Sequence, residues 1–175
     1  MLFVVFSGLP GTGKSTLAEA VGRMLSIPVF AKDWLESSLV RVGVQQAIID
    51  DKPKPLGYVG YELLATLAER QLMLDQSVII DSVASITSVR EQWRKLADHY
   101  QAQWRVVECI CSDATLHQAR IVARQRHIPD WPELTWAEVE RTRSNYTPWL
   151  ESHLILDSVN HYDHNLQLTL DYLRG

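Results

Sequence analysis

The chain has 175 residues, 46% of them hydrophobic and 22% charged, which suits one globular domain large enough to bury a core. Its formal net charge of −4 argues against a general nucleic-acid-binding protein, because such binding needs a clustered positive surface. No apolar stretch is long enough to cross a bilayer, so we expect a cytoplasmic protein without a membrane segment.

The first predicted elements are a strand, a glycine-rich loop and a helix. Residues 2–6 form a short apolar run that leads straight into the loop, which favours a core strand over a signal peptide. After the loop, apolar side chains recur at helical spacing on one face, at Leu17, Ala20, Val21, Met24 and Leu25.

The loop between them matches the phosphate-binding (Walker A) pattern G-x-x-x-x-G-K-[ST] at every position. It consists of Gly8, Leu9, Pro10, Gly11, Thr12, Gly13, Lys14, Ser15 and Thr16. Glycines let backbone amides and the helix N-terminus point at a di- or triphosphate, Lys14 supplies a positive charge, and Ser15 offers a hydroxyl to Mg²⁺. We therefore predict a nucleoside triphosphate site; the alternative is a glycine-rich turn that binds nothing.

Strand and helix patterns alternate along the rest of the chain. They predict strands near 27–31, 77–81, 104–111 and 154–157, helices near 34–42, 58–75, 89–100, 113–126 and 135–146, and a final helix. Residues 43–57 are expected to be irregular, and a proline-bounded break is expected at 127–132. This alternation predicts one α/β domain over residues 1–175, with a parallel sheet and helices on both faces.

Ligands of such sheets bind at the carboxyl ends of the strands. Gly8, Asp33, Asp81 and the turn after Cys111 would all lie at that edge. Cys109 and Cys111 fall on the same face of one strand, which is poor geometry for a mutual disulfide. We expect both to be reduced core thiols.

Other classes of phosphate-loop protein are disfavoured by what the sequence lacks. A GTPase needs an N-K-x-D element and a D-x-x-G switch, and neither occurs at a workable place. A motor module of the AAA+ type is usually longer and carries a helical lid domain. A small kinase remains, and it needs an acceptor site, a positioning carboxylate and cations that close over the phosphates.

The chain resembles the small P-loop kinases grouped with zeta toxin, chloramphenicol phosphotransferase and gluconate kinase, often called AAA family ATPases. The resemblance rests on the motif at 8–18, Lys32-Asp33, the strand at 77–82, Arg90, and Arg120-x-x-x-Arg124 before a lid-like break. It implies a P-loop NTPase fold with a five-stranded parallel sheet in the order 2-3-1-4-5 and a short lid at about 120–135. The chain departs at Glu36, where many relatives carry an arginine that helps to hold the acceptor, so the acceptor chemistry is expected to differ.

Two carboxylates are candidates for chemistry. Asp33 is the candidate general base, because phosphoryl transfer to a hydroxyl needs a carboxylate that orients it and takes its proton; the alternative role is a helix N-cap. Asp81 ends a hydrophobic strand as a Walker B carboxylate does, and with Ser15 it would hold Mg²⁺; the alternative is a strand-end turn. Ser82 is a weaker candidate beside it.

A cationic stripe is expected on the helix before the break. Arg120 and Arg124 are four residues apart, and His117 and His127 fall on the same stripe. The resemblance assigns Arg124 to the phosphates and Arg120 to base or phosphate contact, whereas the alternative is a solvated helix face.

Further residues are weaker candidates for binding the acceptor. Arg90 could reach the acceptor site or, like Arg94, be a surface charge; the aromatic side chains Trp34, Tyr58 and Tyr61 could wall a pocket or belong to the core. Lys52 and Lys54 could attract an anionic acceptor, although a solvated loop is favoured. His161 and His164 are expected at the surface.

The sequence therefore predicts an ATP- and Mg²⁺-dependent kinase (a phosphotransferase) that acts on a hydroxyl of a small molecule, with Lys14, Asp33 and Arg124 as catalytic residues. One alternative is an ATP-binding or ATPase switch that signals to a protein partner without transfer. A less favoured alternative is a polynucleotide 5′-hydroxyl kinase, because the acidic balance disfavours a nucleic-acid partner.

Overall fold

A computed structural model describes the backbone of residues 1–44, 46–49 and 52–175 and the side chains of residues 1–44, 53 and 55–175. The strands in this part of the chain are β1 (Leu2–Ser7), β2 (Val29–Ala31), β3 (Gln46–Ile49), β4 (Lys52–Pro55), β5 (Val78–Asp81), β6 (Gln103–Ile110) and β7 (Leu154–Asp157). The helices are α1 (Lys14–Leu25), α2 (Lys32–Arg41), α3 (Leu56–Leu72), α4 (Thr87–His99), α5 (Ala114–Ala123), α6 (Trp136–Ser144) and α7 (Tyr162–Arg174).

Five parallel strands form the main sheet in the order β2-β5-β1-β6-β7. This confirms the predicted order 2-3-1-4-5, since β5, β6 and β7 are the third, fourth and fifth strands of that sheet along the chain. Asp81 is aligned with Phe6 of β1 on one side and with Ala31 of β2 on the other. The register therefore brings the start of the phosphate loop, Asp81 and the start of α2 to one edge.

The core lies on both faces of this sheet, which is why β1 is apolar throughout. Phe3 and Val5 face α3 and α4, where Leu64 and Trp93 are fully buried. Val4 and Phe6 face α1 and α7 on the other side. The strand alternates between two buried layers, as expected for a parallel sheet covered by helices on both faces.

The segment at 43–57 is not wholly irregular, contrary to the prediction. It contains an antiparallel hairpin in which Gln46–Ile49 pairs with Lys52–Pro55. Prolines are tolerated in a two-stranded ribbon because each strand has a free edge, so Pro53 and Pro55 were misleading as loop signals. Asp50 and Asp51, and the side chains of Lys52 and Lys54, lie outside the described residues.

Helix α5 is shorter than predicted, and this changes the cationic stripe. It ends at Ala123 instead of near Arg126, and its C-cap, Arg124, has an extended backbone with φ −68° and ψ 133°. The chain then runs non-helically to His127, whose φ is +53°. Arg124 therefore does not continue the helical stripe of Arg120. Among the described helices, none is both long and apolar enough to traverse a membrane.

Candidate active site

The phosphate loop has the backbone conformation that its glycines permit. Gly8, Gly11 and Gly13 have φ values of +131°, +86° and +84°, in the region that disfavours other residues. A Cβ atom on Gly8 would lie 2.1 Å from the Cys109 carbonyl oxygen of β6. The loop therefore turns directly against the neighbouring strand, with Gly8 and Leu9 on its rear side.

A cavity of about 420 Å³, the loop cavity, opens on the front of this turn. Its walls are residues 11–17, Arg120, Arg124, Ser158, Asn160, Tyr162 and Asn165. Arg120 is held there by Ser158, since its Nη1 donates to the Ser158 hydroxyl at 2.7 Å and its Nη2 to the Ser158 carbonyl at 2.9 Å. Of the predicted loop residues, those at 11–16 line this cavity together with Arg120 and Arg124, whereas Gly8, Leu9 and Pro10 do not; that these residues bind a nucleotide stays a prediction.

The segment after β7 was missed as part of the site. Ser158, Asn160, Tyr162 and Asn165 follow the last strand and start α7, where no motif marks them. The only available signal was topological: β7 ends at the same edge of the sheet as the phosphate loop.

A second cavity of about 460 Å³, the α2 cleft, adjoins the first. Lys14, Ser15, Thr16 and Arg124 line both cavities. The α2 cleft is further lined by Pro10 of the loop, Asp33 and Trp34 of α2, Asp81 at the end of β5, Ser82 directly after it, and Arg126 of the lid. The four residues common to both cavities form a shared wall, and the carboxylates predicted for metal and base chemistry, Asp81 and Asp33, line the α2 cleft beside it.

Asp81 lines the α2 cleft, where it carries a buried carboxylate oxygen. Its side chain is 6% exposed, and within the described structure its Oδ1 has no hydrogen-bond partner. Burial raises the pKa of the Asp81 carboxyl above its usual range, and the Lys14 ammonium and the Ser15 hydroxyl oppose this only in part. A bound cation would satisfy the carboxylate, so Asp81 and Ser15 fit a Mg²⁺ ligand set in chemistry.

Arg124 is a second buried group with unused bonding capacity. Its Nη1 is buried and has no acceptor among the described residues. Burial and the nearby Arg126 lower the pKa of the Arg124 guanidinium, while Asp33, Glu133 and Asp81 act in the opposite direction. A guanidinium remains charged at neutral pH, and a buried charge without an acceptor is unfavourable, so an anionic ligand would stabilise this group.

Asp33 lies in the first turn of α2 and not at its N-cap, which is Ala31, so the capping alternative is wrong. Its Oδ2 forms an ion pair with Nη1 of Arg126, a residue that the sequence analysis did not single out. Arg126 also donates from Nε to Glu133 at 3.1 Å, so it bridges the lid and α2. The Asp33 side chain nevertheless remains 40% exposed.

The lid rests on α2 through further contacts. The Ser37 hydroxyl donates to the carbonyl of Pro129, and Arg41 forms a 3.5 Å ion pair with Asp130. Together with the Arg126 bridge, these contacts close the lid against the α2 side of the cleft.

Glu36, the departure from the family pattern, points away from the cleft. It is 3% exposed, forms an ion pair with Lys32, and packs on Gly60 of α3, where an added Cβ would lie 2.7 Å from its Oε1. Burial raises the pKa of the Glu36 carboxyl, and the Lys32 ammonium opposes this. Glu36 therefore joins α2 to α3.

The remaining candidate residues lie mostly in the core or at the surface and not in the cleft. Arg90 is 6% exposed and bonds backbone carbonyls, so it is neither a surface charge nor a member of the cleft lining, whereas Arg94 is half-exposed. Trp34 lines the α2 cleft but Tyr61 is in the core, and the side chains of His161 and His164 are exposed. Cys109 and Cys111 are both free thiols, but the expectation that both belong to the core was wrong for Cys111, which follows the end of β6 and is partly exposed, whereas Cys109 is buried in the core.

The two histidines of the expected cationic stripe do not contribute to it. His117 is buried with 1% exposure, and burial lowers the pKa of its imidazole, so it is neutral at pH 7. His127 is exposed and lies beyond the end of the helix. The prediction of four cations on one face was wrong because α5 ends early and its His117 side faces the phosphate loop.

Comparisons with known proteins agree with this architecture. A family model described as an AAA domain matches residues 3–149. Among solved structures, a sugar kinase from a Janibacter species has a TM-score of 0.72 at 17% identity, with 99% of this chain and 95% of that chain covered. A gluconokinase from Sinorhizobium meliloti has a TM-score of 0.69 at 16% identity, with coverages of 99% and 91%.

A third similar structure is Kti12 of Chaetomium thermophilum in complex with ADP-AlF3. Its TM-score is 0.68 at 18% identity, and 99% of this chain and 100% of that chain are covered. Among curated protein sequences, none matches this chain significantly. The family match and the strand order agree with the sequence-based resemblance, and the chain belongs to the AAA-domain family and has the fold of the P-loop kinases.

Proposed function

We propose that this protein is an ATP-dependent kinase that transfers the γ-phosphoryl group to a hydroxyl of a small molecule. The observation that carries the proposal is the wall shared by two cavities, where Lys14, Ser15 and Arg124 line both sides. A kinase needs two adjoining sites of this kind, one for the donor and one for the acceptor. The fold shared with a sugar kinase and a gluconokinase supports the same class.

The loop cavity would bind the nucleotide. Backbone amides of the loop and the N-terminus of α1 would bind the phosphates there, and Lys14 in the cavity wall would neutralise their charge. Ser15 and Asp81 would hold Mg²⁺, which when bound neutralises charge on the phosphates. The planar guanidinium of Arg120, fixed by Ser158, offers a face on which a base can stack or a fork for phosphate oxygens.

Arg124 would stabilise the phosphoryl group in transit. It lies between the two cavities, and its buried Nη1 is available for an oxygen that arrives with the ligand. Preorganised cations at the site of developing charge are the main source of catalysis in phosphoryl transfer.

Asp33 would orient the acceptor hydroxyl and accept its proton. It lies in the α2 cleft, and its exposed carboxylate can still meet a hydroxyl while Arg126 holds Oδ2. Lid contacts with α2 would restrict access of water to the shared wall, which limits ATP hydrolysis without transfer.

The first test uses a metabolite extract and γ-labelled ATP, with labelled products identified by mass spectrometry. We expect a labelled phosphoester with the wild type and none with Asp33→Asn, which should still bind ATP normally. Asp163→Asn is the matched control, because that carboxylate is 79% exposed on α7. Unchanged transfer by Asp33→Asn would rule out its role as the base.

Once an acceptor is known, Arg124→Ala separates catalysis from binding. We expect turnover to fall by about a hundredfold or more, as for loss of one transition-state donor, with a much smaller change in ADP affinity. Equal losses of turnover and ADP affinity would refute a role in the transition state.

The ion pair between Asp33 and Arg126 favours one competing function. In that case the protein is a nucleotide-binding switch, and the Asp33 carboxylate binds the lid and not an acceptor. Such a protein would yield no labelled product and only slow ADP formation, and Asp33→Asn would not affect that rate. This result would replace the kinase proposal.

A further inference from the structure

The rear of the phosphate loop contacts helices α5 and α6 through one histidine. Nε2 of His117 lies 2.7 Å from the Pro10 carbonyl oxygen, and Nδ1 lies 3.2 Å from Nη2 of Arg143. The ring is edge-on to Trp136, with 5.1 Å between ring centroids. His117 is 1% exposed, and among the described residues the hydrogen-bond partners of its ring are the Pro10 carbonyl and the Arg143 guanidinium.

The two partners determine where the imidazole proton resides. A carbonyl oxygen can only accept a hydrogen bond, and a guanidinium can only donate one. Nε2 therefore carries the proton and donates to Pro10, while Nδ1 accepts from Arg143. The charged groups that face the ring agree with a neutral form: Arg143 and Arg120 disfavour a second proton, and only Glu140 favours it.

This hydrogen bond fixes the direction of the next amide in the loop. A trans peptide is planar, so its C=O and N–H bonds point in opposite directions. The Pro10 carbonyl points back to His117, and the Gly11 N–H therefore points forward. Gly11 lines the loop cavity, so its amide is directed to the side where a phosphate would bind.

Helix α5 also packs closely against the loop at Gly11. A Cβ on Gly11 would lie 2.7 Å from Cδ1 of Ile121 and 3.1 Å from Cδ2 of His117. The loop therefore packs directly on α5 at Gly11, the residue whose amide points into the loop cavity.

We propose that His117 is a positioning residue of the phosphate-binding loop: Arg143 fixes its proton on Nε2, and the resulting bond to Pro10 directs the Gly11 amide at the bound phosphate. The inference rests on the nucleotide site of the proposed function. It assigns to α5 and α6 a part in phosphate binding that no motif marks.

The test compares ADP affinities by calorimetry for the wild type, His117→Phe and His117→Gln. Phenylalanine keeps a ring but removes both nitrogens, and we expect ADP to bind about fivefold more weakly, the effect of one hydrogen bond. Glutamine carries an N–H near the Nε2 position, so we expect it to restore affinity to within about twofold of the wild type. His99→Phe, a substitution of an exposed histidine on α4, should leave ADP affinity unchanged.

The outcomes separate the two proposals. If the wild type binds ADP and His117→Phe binds it equally well, the positioning role is overturned while the kinase proposal stands. If the wild type does not bind ADP, the proposed function fails and this inference fails with it.

Two further measurements do not depend on His117→Phe folding. Nitrogen-15 NMR of the unliganded protein should show the His117 proton on Nε2, and a proton on Nδ1 would overturn the proposal. Arg143→Met changes a half-exposed side chain and frees Nδ1; we expect a mixture of tautomers and ADP affinity about twofold weaker. A single unchanged tautomer with wild-type affinity would also overturn it.

Discussion

Replacement of Arg90 by leucine should strongly destabilise the fold. The Arg90 guanidinium donates to three backbone carbonyls: Nε to Ala84 at 2.6 Å, Nη2 to Thr147 at 2.6 Å and Nη1 to Pro148 at 3.1 Å. It also stacks on Trp149, with Cζ 3.9 Å from the ring centroid. One side chain therefore ties the turn after β5 to the segment after α6.

The size of the effect follows from how well water can replace each lost bond. Ala84 is fully buried, so its carbonyl would remain unsatisfied at a cost of about 2 kcal/mol. The bonds to Thr147 and Pro148 are only partly buried, and water can compensate, so each contributes about 0.5 kcal/mol. We expect a loss of about 3 kcal/mol in the free energy of unfolding.

Urea unfolding followed by tryptophan fluorescence measures this quantity. Arg94→Leu on the same helix is the matched control: Arg94 is 48% exposed, its ion pairs with Asp98 and Glu151 are at the surface, and its loss should cost less than about 1 kcal/mol. Arg90→Lys keeps the charge but not the planar fork, so the stability of this variant should lie between those of the wild type and Arg90→Leu. If Arg90→Leu lies within about 1 kcal/mol of the wild type, the reasoning is wrong.

Three further outcomes are expected. Arg126→Met removes the ion pair to Asp33, so trypsin or chymotrypsin should cut residues 124–135 faster, with little change in the urea midpoint because the pair is partly exposed. Asp81→Asn should raise the urea midpoint of the unliganded protein and abolish the Mg²⁺ dependence of ADP binding. Because burial raises the pKa of Asp81 in the folded protein, wild-type stability should fall as the pH rises from 3.8 through the folded-state pKa. An Asp81→Asn variant with the same urea midpoint and the same pH dependence of stability as the wild type would refute this. Burial raises the pKa of the Cys109 thiol to about 12. At pH 8 a thiol reagent should therefore modify Cys111 alone until the protein unfolds. Rapid labelling of both cysteines in the folded protein would contradict the burial of Cys109.

The sequence predicted the parts of the fold that depend on local pattern. Strand and helix periodicity and the phosphate-loop motif sufficed for the sheet, because parallel strands in a covered sheet are apolar throughout. The pairing of Gln46–Ile49 with Lys52–Pro55 was missed because prolines and charges are also typical of loops, and only pairing between the strands distinguishes the two.

The candidate site could be predicted only in part for a similar reason. Asp33 closely follows β2 and Asp81 ends β5, so the topology placed both at one edge. The contact between Asp33 and Arg126 spans 93 residues and depends on where α5 ends, which periodicity did not reveal. His117 looked like a member of a cationic face, and its orientation towards Pro10 depends on the tertiary packing of α5 against the loop.

The early end of α5 has a chemical consequence. In an extended backbone, successive side chains alternate in direction, so residues two apart can share a surface while their tips reach different partners. Arg124 reaches the shared wall of the two cavities, and Arg126 reaches Asp33 across the α2 cleft. Position 36 of α2 is a glutamate that pairs with Lys32, and the cleft lining contains no arginine of α2, whereas Arg124 and Arg126 reach it from the lid. A displaced lid would therefore remove charge from the proposed phosphate and acceptor sides together, so if the protein is the proposed kinase, transfer should occur only while the lid is docked on α2.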